Sequence, residues 1–137
     1  MLTLLNKSSD LIIQEYIKID YDVRAIVFRG EVIAAMKRDV MSGDVRSNVS
    51  LGATTKPHEL TELETKDCLK SAELVKGELI GVDFMPSKNR EKEQPYILEV
   101  NSMPGFGGIE RATKNKSVTE EILKTYMNRN NWRIDND

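Results

Sequence analysis

The chain has 137 residues and a mass of 15.6 kDa, the size of one domain. Its 20 Lys and Arg nearly balance its 22 Asp and Glu, and the formal net charge of -2 disfavours nucleic acid or an anionic membrane as partner. A single cysteine and a single histidine exclude a disulfide framework, a cysteine-built metal site and a multi-histidine zinc site.

The opening MLTLLNKSSD lacks a basic leader, a long apolar run and a cleavage site, and no apolar run approaches a membrane span. A cytoplasmic location without membrane contact is therefore expected. Residues 2–7 read as a helical turn and residues 10–17, DLIIQEYI, as a buried strand. Two extended runs follow, YDVRAIVF at 21–28 and EVIAAMKR at 31–38, joined at Arg29-Gly30. A two-residue link containing Gly is a hairpin signal. In the first arm Asp22 and Arg24 share a face, either as a local salt bridge or as two members of a site.

Residues 39–56 carry little periodicity and make a long connection for so small a domain. Arg46, Ser47 and Asn48 lie in it, with Lys37 and Arg38 just upstream; such bases suit polyphosphate contact, although a solvated surface loop is the commoner use of such a sequence. Helical spacing resumes at 57–76, with Pro57 in the first turn, Leu60, Leu63, Cys68, Ala72 and Val75 on the apolar side, and Gly77 as terminator. Cys68 reads as a core residue and His58 as a surface one.

The runs LIGVDFM (79–85) and YILEVN (96–101) flank a polar connection and are expected to pair antiparallel. Alternation puts Glu99 and Asn101 on one face, and antiparallel pairing brings Asp83 beside them. The result is a D…E-x-N cluster of hard oxygen donors, the kind Mg2+ takes, at the end of a strand. A Gly- and Pro-rich stretch through residue 110 reads as neither helix nor strand. Ser117 with Glu120 makes a capping box for a helix to about residue 128, and Trp132 and Ile134 would pack the tail back. The expected fold is α+β, a largely antiparallel sheet with helices packed on one face. With no Walker A pattern, the cluster looks like half of a site.

Taken in order, QEYIK (14–18), DVR (22–24), GDVRSN (43–48), GVD (81–83) and LEVNSMPGFGGIE (98–110) resemble the C-terminal part of an ATP-grasp ligase of the RimK type. That family adds glutamate to the C-terminus of a ribosomal protein, and has relatives in lysine biosynthesis. The resemblance covers nearly the whole chain. It implies ATP and Mg2+ as cofactors, with Mn2+ as an alternative metal. Glu15 and Tyr16 would lie in the hinge that receives adenine, Asp22 near the ribose, and Arg24 would be a positively charged catalytic residue at the centre of the cleft. Arg46, Ser47 and Asn48 would touch nucleotide and reactants, Arg46 also being catalytic. Asp83, Glu99 and Asn101 would be the metal ligands, and residues 104–108 would line the acceptor end.

The implied chemistry turns a carboxylate into an acyl phosphate at the expense of ATP, and an amine then attacks to leave an amide. The implied partners are ATP and an amino acid or a peptide or protein carboxylate acceptor. Two departures stand out. Met103 occupies a place where the family has a small residue, and the lysines and flexible loop of the first ATP-grasp subdomain are missing. Residues 1–17 are accordingly expected to be the last helix turn and strand of the first subdomain, and residues 18–137 the second subdomain. The ligase unit would be incomplete alone and complemented by an N-terminal half or by a second copy. The alternative is a non-catalytic domain that keeps the ATP-grasp fold to bind a nucleotide or a protein.

Overall fold

The computed structural model describes residues 15, 17–39, 54–113 and 117–130. The expected helical turn, most of the first strand, the loop containing Arg46 and the tail with Trp132 and Ile134 lie outside the described residues. The first two elements are strands, β1 at Tyr21–Phe28 and β2 at Glu31–Asp39, joined as expected by Arg29 and Gly30. Both turn residues have positive φ, 52° and 80°, as a tight right-twisting hairpin requires.

β3 is a short strand, Thr55–Pro57, and α1 is the helix Glu62–Leu74. Helix and strand divide residues 57–76, over which the spacing predicts a single helix. Pro57 closes β3 instead of opening α1, because Thr61 is the true N-cap: its Oγ1 accepts the Glu64 N–H, and the Glu64 carboxylate accepts the Thr61 N–H in return. At the other end Lys76, at φ 53°, takes the left-handed position and the Gly77 N–H reaches the Ala72 carbonyl at 3.1 Å. β4 (Leu79–Met85), β5 (Tyr96–Asn101), α2 (Gly107–Thr113) and α3 (Val118–Asn130) complete the order.

The five strands form one sheet in the order β3-β2-β1-β4-β5, antiparallel at every step. This is the α+β unit with an antiparallel sheet that the sequence predicts. Central β1 is buried on both faces, so its apolar residues run without interruption from Ala25 to Phe28. One face carries Val23, Ala25, Val82 and Phe84 beneath Cys68 and Ala72 of α1, the expected helical cover. On the other, Ile26, Phe28, Ala34 and Met36 meet Ile109 and Ala112 of α2 and Val118 of α3.

α2 corrects the reading of residues 96–110 as a strand followed only by loop. Gly107 and Gly108 form its first turn, where backbone N–H groups lack helical partners in any case, and the buried Ile109 anchors it. The Glu110 carboxylate accepts from the Thr119 N–H and from the hydroxyls of Thr119 and Ser117, which fixes the start of α3 and holds the acid below its usual range. Among the described residues, no helix is long and apolar enough to cross a membrane.

Candidate functional site

Strand alternation builds the site. The face that buries Ile26 and Phe28 begins, one turn of the pleat earlier, with Asp22 and Arg24. Asp83 of β4 lies directly across from Arg24, and Glu99 of β5 directly across from Asp83. Asn101 lies opposite Gly81 on the same face. The expected grouping of Asp83, Glu99 and Asn101 on one face is therefore the observed register. Gly81 matters to it. A Cβ there would stand 2.7 Å from the Pro104 Cβ, so only a bare backbone lets the chain after β5 fold back over the face. The turn is tightened by Asn101, whose Oδ1 accepts the Met103 N–H at 2.8 Å.

The charged groups pair across strands instead of along β1. Arg24 Nε and Nη2 each donate to an Asp83 carboxylate oxygen at 2.7 Å. Arg38 grips Asp22 in the same forked way, at 2.6 and 2.9 Å, and gives a third bond to Asp83 Oδ2 at 3.0 Å. Burial works against the Arg38 charge, yet the bonds and charges of Asp22 and Asp83 outweigh it and hold this guanidinium above its usual range. Asp22, Arg38 and Asp83 are buried, whereas Glu99 is exposed and its carboxylate has no partner among the described residues. Among the described residues, no three His, Cys, Asp or Glu side chains converge as a metal site. The donor set on this face is two carboxylates and the Asn101 amide oxygen.

A cavity of about 810 Å³ lies at the start of β1, between the entering segment and the β4–β5 connection. Glu15, Ile17, Asp20, Arg90 and Tyr96 are among its lining residues, so Glu15 is exposed at its rim. Tyr16, Arg46, Ser47 and Asn48 lie outside the described residues. The connection is held by a network absent from the sequence reading. Arg90 gives two 2.8 Å bonds to the buried Glu64, one to the Glu59 carbonyl at 2.7 Å, and meets His58 Nε2 at 2.9 Å. His58 is thus no surface residue: its side chain is 5% exposed, tilted against Tyr21. The Thr61-x-x-Glu64 spacing was the available sequence signal for Glu64; nothing local points to Arg90.

Residues 2–125 match the profile of the RimK-like ATP-grasp domain. The chain belongs to that family. A probable alpha-L-glutamate ligase of a Marinomonas species is 40% identical over 118 residues, 85% of this chain and 38% of its own length. Another from Shewanella amazonensis is 38% identical over 122 residues, 88% of this chain and 39% of its own length. This chain of the RimK-like family therefore spans about two fifths of these relatives. The ATP-grasp ligase PsnB, in a complex with a phosphomimetic precursor variant, Mg and ADP, shares the fold at a TM-score of 0.62 and 20% identity, over 81% of this chain and 33% of its own.

Proposed function

We propose that this ATP-grasp chain carries one wall of a ligase site and serves the ATP-dependent joining of a carboxylate to an amine. The observation that carries the reading is the register of β4 and β5, which sets Asp83, Glu99 and Asn101 on one face in the family's order. Two carboxylates and an amide oxygen are hard donors that fit Mg2+, or Mn2+ in its place. Bound there, the metal supplies charge neutralisation for phosphoryl transfer.

The residues divide the remaining work. Arg24 and Arg46 contribute the positive charge that stabilises the transferred phosphoryl group. Glu15 and Tyr16 receive the adenine, largely through backbone groups, Asp22 lies on the ribose side, and Ser47 and Asn48 contact nucleotide and reactants. A substrate carboxylate oxygen attacks the γ-phosphorus and ADP leaves; an amine then attacks the acyl carbon and phosphate leaves. The names of the relatives make glutamate the amine to test first, against a peptide or protein carboxylate. Residues 1–17 belong in this reading to the first ATP-grasp subdomain and residues 18–137 to the second, with the remaining nucleotide-holding elements supplied by an N-terminal half or a second copy.

A second reading, a non-catalytic domain retaining the fold to bind a nucleotide or a protein, is favoured by one feature: both Asp83 oxygens are held by arginines. Calorimetric titration with Mg-ATP separates the two. Ligase ancestry in working form predicts binding that weakens roughly tenfold or more in Asp83→Asn and Asn101→Ala. Titrations that stay at background, or that do not respond to either substitution, sink the metal-site reading.

A further inference from the structure

Asp83 accepts three charge-assisted hydrogen bonds from two arginines, so a cation arriving there meets oxygens already in use. The two arginines are held differently. Arg38 is 6% exposed, and its fork is committed to Asp22, with one further bond to Asp83. Arg24 has a side chain 19% exposed, and its fork grips Asp83 alone among the described residues. Of the two, Arg24 is the one free to leave.

The charges point the same way. With Arg24 withdrawn, Asp83 and Glu99 keep one charged bond among the described residues, the 3.0 Å bond to Asp83 from an Arg38 whose fork is committed to Asp22. Two formal negative charges remain, which one divalent cation neutralises. With Arg24 in place the buried carboxylates of Asp22 and Asp83 stay paired without metal, which matters because an unpaired carboxylate at 6% exposure is strongly destabilising.

We infer that Arg24 is a stand-in cation: it occupies the Asp83 carboxylate in the metal-free chain, and a divalent cation bound by Asp83 and Glu99 displaces it. Displacement frees the guanidinium beside the metal, where a planar fork is suited to an anion's oxygens. Metal and phosphate sites are thereby assembled in one exchange of ion partners, while Arg38 keeps Asp83 oriented throughout. Arg38 is a positioning residue in this scheme. The inference rests on the metal-site reading above, and goes beyond it by making Arg24 a competitor of the metal before it becomes a partner of the phosphate.

The test is titration of the full chain with Mn2+ alone, followed by the electron paramagnetic resonance of free Mn2+. Arg24→Met removes the fork and keeps an apolar stem, and is expected to bind Mn2+ roughly tenfold or more tighter than wild type. Arg24→Lys, whose ammonium is a point charge without the fork, falls between. Asp83→Asn loses the binding. A second readout guards against a poorly folded variant: Arg24→Met melts below wild type without metal, and Mn2+ raises its melting temperature by more than it raises that of wild type. Equal or weaker Mn2+ binding by both Arg24 variants, with Asp83→Asn still abolishing it, overturns the exchange while leaving the metal site standing. Wild-type Mn2+ binding unchanged by Asp83→Asn overturns the metal site and the exchange with it.

Discussion

Glu64 offers the sharpest test of how the walls of the site are held. Its side chain is 1% exposed and accepts from Arg90 at both oxygens, from the Thr61 N–H at 3.0 Å, and lies 3.4 Å from His58. Burial alone would raise its pKa, but Arg90, His58 and Thr61 outweigh burial and lower it from 4.5 to about 2. That gap corresponds to about 3 kcal/mol. Because the folded-state value is the depressed one, this stability is fully present above pH 4.5 and is lost as pH falls through about 2. Glu64→Gln keeps the shape and removes the charge. Urea unfolding is expected to show the variant about 3 kcal/mol less stable at pH 7, with the two proteins converging as pH falls from 4.5 toward 2. Parallel stability curves for wild type and variant across that window would refute the reasoning. The consequence reaches the site, because Arg90 fastens the β4–β5 connection that lines the cavity beside Glu15.

Three further outcomes follow from the same geometry. Arg38→Met takes the shared guanidinium from Asp22 and Asp83, and should cost about 3–5 kcal/mol in denaturant unfolding; a loss below about 1 kcal/mol would show that the pair is held by other means. Gly81→Ala drives a Cβ toward the Pro104 ring and should cost about 1–3 kcal/mol, measured by urea unfolding, with weaker Mn2+ binding as the chain after β5 is pushed off the face. Cys68 is fully buried, and burial together with Glu64 and Asp67 pushes its thiol up to about 12, so a disulfide reagent at pH 8 should label it only as the chain unfolds.

Local pattern carried much of this fold. The Arg29-Gly30 hairpin, the pairing of β4 with β5 and the start of α3 at Ser117 all rest on neighbours within a few residues, and each is where the sequence predicts it. β3 escaped because three residues make too short a run to show a period. α2 escaped because its first turn is two glycines, which read as loop until Ile109 is seen to be buried. In the site, alternation puts Glu99 and Asn101 on one face, and the register of β4 with β5 adds Asp83 to it. Alternation could not reveal the Arg24–Asp83 pair, whose members are 59 residues apart and meet only because β1 lies beside β4 in the sheet order.

Arg38 was hidden for a subtler reason, and the same reason governs Glu99. Counting back from the Arg29-Gly30 turn, where Phe28 pairs with Glu31, a regular ladder would set Asp22 opposite Lys37. The register shifts between Ile26 and Val27, with Ile33 as the extra residue, and Arg38 takes that place instead. In the second hairpin Met85 pairs with Tyr96 and Phe84 with Ile97, so a regular ladder would set Asp83 opposite Leu98. A shift at Asp83/Phe84 makes Leu98 the extra residue and brings Glu99 across from Asp83. A one-residue slip turns every later side chain to the other face. Without the first shift, Arg38 would leave the face of Asp22; without the second, Glu99 and Asn101 would leave that of Asp83. Two irregularities, one in each hairpin, thus bring the ionic network and the metal-ligand candidates onto one surface. Perfect hairpins built from the same residues would have separated them.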